Sequence, residues 1–134
     1  MLRYMLDTDI CIYVIKKRPE SIRLRFNDDA DRLSISAVTL AELLYGVEKS
    51  AKPAENLQAV QAFTARLDVL PFTDRAASHF GQIRAALERV GRPIGAYDLM
   101  IAGHARSEGL VLVTNNVREF KRVEGIVVEN WLRA

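Results

Sequence analysis

Short apolar segments recur between longer helical stretches, and this alternation constrains the fold more than any other feature of the chain. Tyr4 to Leu6, Leu33 to Ile35, Val69 to Leu70, Leu110 to Val113 and Ile126 to Val128 are each bounded by polar residues or glycine. They read as short strands buried between layers, as in a parallel sheet. Between them, PAENLQAVQAFTARLD opens with Pro53 near a first helical position. TDRAASHFGQIRAALERVG sets Phe80, Ile83 and Leu87 on one stripe, with Thr73 as N-cap and Gly91 as stop. Strands alternating with helices predict an α/β sandwich.

At 134 residues, 49% of them hydrophobic, the chain suits one well-buried core, and with no repeat, low-complexity tract or Gly/Ser linker it reads as a single domain over 1–134. No apolar run approaches the roughly 20 residues of a membrane span. MLRYMLD meets an acid before a signal-peptide core could form, so a soluble cytoplasmic protein with no membrane partner is expected. The single cysteine, Cys11, excludes an internal disulfide and offers no zinc spacing. A net charge of +2 permits nucleic-acid binding without arguing for it. The basic clusters Lys16, Lys17, Arg18 and Arg118, Lys121, Arg122 are candidate phosphate contacts, or solvated helix ends.

In an open parallel sheet the ligand crevice lies outside the carboxyl ends of the strands. The first strand exits into Asp7, Thr8 and Asp9, and LVLV exits into Thr114, Asn115 and Asn116, with Glu119 following. Capping of a helix running from Ile10 needs one acid and fits Asp9, which leaves Asp7 as a surplus carboxylate at the strand end. Glu42 lies opposite the core stripe Leu40, Leu43, Leu44 and Val47, yet Val38 and Tyr45 make its own side apolar too. That pattern suggests a helix buried on both sides, with Glu42 in an interior or cleft position. Asp98 can be read as an N-cap, but Ile101, Ala102 and Ala105 make its face suited to the core. Glu119 can pair with Arg122 at the surface or join the other acids.

His79 and His104 fall within helices, without ligand spacing to each other or to an acid, and read as structural. Neither a Gly-rich phosphate loop nor a Ser-His-Asp or Cys-His pairing is signalled. The remaining chemistry is Asp7, Glu42, Asp98 and Glu119. Brought together without basic partners, such carboxylates would repel one another and mostly protonate. A hard divalent cation removes the repulsion, and Mg²⁺ or Mn²⁺ held by carboxylates and water suits phosphodiester hydrolysis.

The N-terminal LDT, the run Ser36, Thr39, Glu42, Leu43, the central YDLMIAGHA and the late LVTNNVREF together resemble the PIN-domain nucleases. Within them the chain is most similar to VapC toxins of bacterial VapBC toxin–antitoxin pairs, of the enteric plasmid type. The resemblance spans nearly the whole chain. It implies a PIN-like three-layer α/β/α sandwich with a central, mostly parallel sheet. It also implies a Mg²⁺-dependent endoribonuclease, Mn²⁺ substituting, that leaves 5′-phosphate and 3′-hydroxyl ends and blocks translation. The best substrate is tRNA, with the initiator tRNA anticodon loop first. Matched by motif, Asp7, Glu42 and Asp98 hold the metal, while Thr8 and Thr114 orient an acid or water. Many relatives carry aspartate where this chain has Asn116, which can coordinate through its carbonyl oxygen or hold water, with Glu119 supplying the charge. A cognate VapB-type antitoxin, a homodimer, larger assemblies with that antitoxin, and DNA contact only through it are implied as well. Two alternatives stand beside this reading. One is a non-catalytic PIN-like module that binds RNA or protein. The other is a haloacid-dehalogenase-type phosphatase, whose DxDx[TV] motif DTDIC nearly matches.

Overall fold

Tyr4–Leu6 (β1) pairs in parallel with a strand on each side, Leu33–Ser36 (β2) and Val111–Val113 (β4). Asp68–Leu70 (β3) and Val128–Glu129 (β5) complete an all-parallel sheet of order β3-β2-β1-β4-β5. The structure, a computed structural model, describes residues 1–132. The last two positions of the expected 1–134 domain lie outside them.

Side-chain alternation along β1 builds the layers. Tyr4 and Leu6 join a cluster with Thr8–Lys16 (α1), Glu20–Asp28 (α2), Ala37–Glu48 (α3) and Pro53–Thr64 (α4), through Ile10, Phe26, Leu43 and Phe63. Met5 points the other way, into a cluster with Asp74–Arg89 (α5), Ala96–Glu108 (α6) and Val117–Phe120 (α7), through Ile83, Leu87, Ile101 and Phe120. The result is the three-layer α/β/α sandwich expected from the alternation. The chain winds outward from β1 through β2 to β3, then returns to lay β4 on the other side of β1. That reversal makes the carboxyl ends of β1 and β4 the topological switch point, where such sheets open a crevice.

Several local expectations hold and several shift. Thr73 caps α5, its side chain accepting from the Ala76 N–H. Gly91 follows that helix with φ +69°, its N–H donating to the Glu88 carbonyl. The helix expected through Asp68 ends at Thr64, because the chain must turn to enter β3. β5 begins at Val128 rather than Ile126, and β3 is largely exposed. Both are edge strands, so burial on two faces does not apply to them. Leu44 and Tyr45 are exposed, so α3 is not buried on both sides.

The small residues of YDLMIAGHA serve close packing of α6 on α5. A Cβ added at Gly103 would stand 2.8 Å from the Phe80 backbone nitrogen and 3.0 Å from its Cα. Backbone atoms in a helix cannot step aside, so Gly103→Ala must push the two helices apart. The expected cost is about 1–3 kcal/mol, read as a lowered unfolding midpoint in denaturant; an unchanged midpoint would show that the helices separate freely.

Candidate active site

Asp7 is built into the switch point by its backbone and both carboxylate oxygens. Its N–H donates to the Val113 carbonyl at 2.8 Å, continuing the β1–β4 pairing one residue beyond β1. Its extended backbone then makes it the N-cap of α1, Oδ1 accepting from the Thr8 N–H at 2.7 Å. Oδ2 accepts from Thr114 Oγ1 at 2.7 Å, and that hydroxyl accepts from the Asn116 N–H at 2.9 Å. The side chain is only 4% exposed. The expected capping roles are therefore reversed: α1 starts at Thr8, not Ile10, so Asp7 caps it and Asp9 lies exposed in its first turn. β1 ends at Leu6, and the residue that leaves a strand already has the extended φ/ψ an N-cap requires.

Glu42 approaches from α3. Thr8 Oγ1 donates to Glu42 Oε1 at 2.7 Å, and Thr39 Oγ1, fully buried, stands 3.2 Å from the same hydroxyl. Thr8 thus links the end of β1 to α3, and Thr39 gives it a polar floor. Thr39 is a positioning residue that the sequence reading placed only within a motif. Its spacing one turn before Glu42 was the available signal.

Asp98 sits in the first turn of α6 and is half-buried, but it does not cap that helix. Gly95 is the N-cap residue, with no side-chain cap bond, so the capping alternative for Asp98 does not hold. Glu119 is held from the α7 side, where Asn116 Nδ2 donates to its Oε2 at 3.0 Å. Its charge acts on Asp98, and among the described residues it forms no ion pair with Arg122, whose guanidinium donates to the Pro93 carbonyl. Asn116 therefore acts on Glu119 through its amide.

The electrostatics register how closely these acids gather. Burial pushes Asp7 up to about 6, assisted by the charges of Asp9 and Glu42 and opposed by its bonds from Thr114 and Thr8. Burial, then the charges of Asp7 and Glu119, the contact with Glu119 and the charge of Glu42 push Asp98 up to about 7. Among the described residues neither acid forms an ion pair with a lysine or arginine. Among the described residues no three acidic, histidine or cysteine side chains form a ready-made metal cage. A divalent ion held by one or two carboxylates and otherwise by water needs no such cage.

The other candidates lie outside this cluster. Lys16, Lys17 and Arg18 are exposed at the end of α1, and Arg118, Lys121 and Arg122 are exposed on and after α7. His79 accepts from the Arg106 Nε–H at 2.8 Å, and His104 is buried with Nδ1 2.7 Å from Ser36 Oγ. Burial lowers the pKa of both, and neither acts on Asp7 or Asp98.

Comparison with known proteins adds identity to this geometry. A family model described as PIN domain matches residues 4–126. The tRNA(fMet)-specific endonucleases VapC of Shigella flexneri and Salmonella typhimurium are 56% and 57% identical to the chain, over 98% of it and 99% of each relative. Among solved structures, DNA-bound VapBC from Salmonella typhimurium superposes with a TM-score of 0.94 at 57% identity, covering 98% of this chain and 99% of that one. VapBC2 from Rickettsia felis, bound to a DNA fragment from its promoter, gives 0.92 at 41% identity, over 97% and 99% of the two chains.

Proposed function

This chain belongs to the PIN-domain family, among the VapC ribonucleases of toxin–antitoxin pairs, and on that premise we propose that it is a Mg²⁺-dependent endoribonuclease that cuts initiator tRNA in the anticodon loop. The observation that carries the metal dependence is the acidic set at one strand-end crevice: Asp7 is buried there, Thr8 links it to Glu42, and the charges of Asp7, Glu119 and Glu42 all act on Asp98. Asp7, Asp98 and Glu42 would hold the ion, one or two of them directly and the rest through bound water, and Mn²⁺ would substitute. When bound, a divalent ion lowers the pKa of water and stabilises charge on a phosphodiester oxygen.

The chain's own residues supply positioning. Thr114 and the Thr8 N–H fix both oxygens of Asp7, so its carboxylate meets an ion with no rotamer search. Thr8 orients Glu42, and Asn116 orients Glu119. Lys16, Lys17, Arg18, Arg118, Lys121 and Arg122 would contact phosphates, giving RNA binding that weakens with salt. The partner is a VapB-type antitoxin, as in the VapBC complexes the chain resembles, and DNA is reached through that antitoxin. A homodimer, larger antitoxin complexes, a single PIN domain and a cytoplasmic site of action complete the reading. No helix among the described residues is long and apolar enough to cross a membrane. The phosphatase alternative loses its support, since the relatives at 52% identity and above carry ribonuclease names.

Cleavage of a total tRNA pool by the purified chain, in Mg²⁺ and in EDTA, tests the reading. Discrete Mg²⁺-dependent cuts with 5′-phosphate ends are expected. Cuts that persist in EDTA and end in cyclic phosphates would refute metal catalysis, and RNA binding without cutting would favour the non-catalytic module.

A further inference from the structure

Two tyrosines stand exposed at the rim of the acidic crevice: Tyr45 on α3 is 66% exposed and Tyr97 on α6 is 60% exposed. Neither contributes to a core cluster. A cleft of about 530 Å³ joins them to the site, with Thr8, Asp9 and Glu42 on its inner wall and Lys49 on its outer one. Tyr97 immediately precedes Asp98, and Tyr45 lies nearly one helical turn beyond Glu42. Each ring is thus tied through rigid helix to a carboxylate of the site.

We propose that Tyr45 and Tyr97 are stacking platforms for unpaired bases of the RNA flanking the scissile phosphate, and that Lys49 holds the adjoining backbone phosphate. The inference rests on the ribonuclease reading and deepens it. Single-stranded RNA is recognised through splayed bases stacked on aromatic rings, which present an apolar face at little cost in lost rotamers. The acids nearest the crevice repel a polyanion, so the approach requires a cation beside them. Lys49 is the cation in the cleft wall, and its Nζ stands 4.9 Å from the Tyr45 ring centre, which keeps the ammonium beside the platform. Gly46 adds a second sign of use. It lies within α3, where alanine would favour the helix. A Cβ there would meet nothing within 4 Å, so no packing contact requires glycine. Gly46 lines the same cleft, and the absence of a side chain there leaves open space beside Tyr45.

The test is steady-state cleavage of an initiator tRNA transcript by the full chain, with Tyr45 and Tyr97 each replaced by Leu and by Phe. Binding of the same transcript to Asp7→Asn forms of these variants is measured alongside. Both rings are exposed, so unfolding midpoints should match the parent. Each Leu variant should raise KM, and weaken binding in the inactive background, by about tenfold with kcat changed far less, while each Phe variant stays near the parent. Lys49→Ala should reduce the salt dependence of binding by about one phosphate contact. Leu variants with unchanged KM would overturn the proposal, as would Phe variants as impaired as Leu. So would Leu variants that cut normally but lose capture of a synthetic antitoxin C-terminal peptide, which would give the cleft to the antitoxin instead. A parent chain that neither cuts nor binds the transcript would remove the ribonuclease reading itself, an outcome distinct from these.

Discussion

Asp7→Asn should abolish cleavage, by about a thousandfold or more, while leaving a folded chain. The substitution keeps side-chain volume and removes one ligand charge at the site where Asp7, Glu42 and Asp98 converge. Three decades of rate correspond to about 4 kcal/mol of lost transition-state stabilisation, a reasonable share for an ion that bears developing phosphate charge. The local bonds can survive: the asparagine oxygen still accepts from the Thr8 N–H, and the Thr114 hydroxyl can turn to accept from the new amide. Folding stability provides an independent readout. An aspartate pushed up to about 6 holds its proton longer in the native state than in the unfolded chain. Metal-free stability should therefore be highest at acid pH and decline as pH climbs from the ordinary aspartate range, near 4, through about 6, by roughly 3 kcal/mol for this group at most. Asp7→Asn should flatten that decline and raise the metal-free midpoint at pH 8, where Mg²⁺ stabilises the parent and not the variant. Undiminished turnover, or a midpoint lowered at every pH, would show that Asp7 serves the fold alone.

Asp98→Asn should cost cleavage about a hundredfold or more, with folding intact. Asp98 caps nothing, so its loss removes no helix-terminal bond. It is also the acid most disturbed by its neighbours, pushed up to about 7 by burial, by Asp7, Glu119 and Glu42, and by its contact with Glu119. Near neutral pH a share of metal-free molecules carries a proton there, and an ion must displace it. Mn²⁺ affinity, measured by calorimetry, should accordingly rise with pH between about 6 and 8 with proton release. In Asp98→Asn both the affinity and the number of protons released should fall. Unchanged proton release would place the titrating group elsewhere. A variant that cleaves normally but melts early would return Asp98 to a structural role.

The neighbours of these acids explain why two substitutions of the same kind should differ in their stability signatures. Asp7 is enclosed by the strand ends and the start of α1, so its charge is felt by the fold. Asp98 is half-buried at a crevice wall, where solvent screens part of the same repulsion. Both substitutions should gain metal-free stability at high pH, and the decline they remove should end near pH 6 for Asp7 and extend to about 7 for Asp98.

Much of the architecture follows from local pattern. Tyr4–Leu6 is a strand because three apolar residues in succession must be buried on both faces, and the same reasoning places β4, whereas β2 alternates leucine and isoleucine with serines. Thr73 and Gly91 mark the start and stop of α5 by chemistry confined to neighbouring residues. Edges are less legible. The bounds of β5 depend on its pairing with β4, Val128 against Leu112 and Glu129 against Val113, and Arg25 holds the Glu129 carboxylate from far away in sequence. The exposure of Tyr45 likewise depends on what α3 faces, not on the helix period.

The sequence by itself determined that polar residues follow β1 and β4, that four acids lie on separate elements, and that Asp7 and Asp9 share one strand exit. Short-range physics suffices for each, since strand ends, caps and turns are set by residues close in sequence. Only the tertiary structure decided that Thr114 reaches Asp7, that the charge of Glu119 acts on Asp98, and that Thr8 bridges to Glu42. These outcomes depend on pairing β1 against β4 and on the seating of α3 and α6 beside them. Hydrogen bonds and charge act over a few ångströms in space with no regard to separation along the chain, so a site assembled from Asp7 to Glu119 exists only once the sheet has brought its strand ends together.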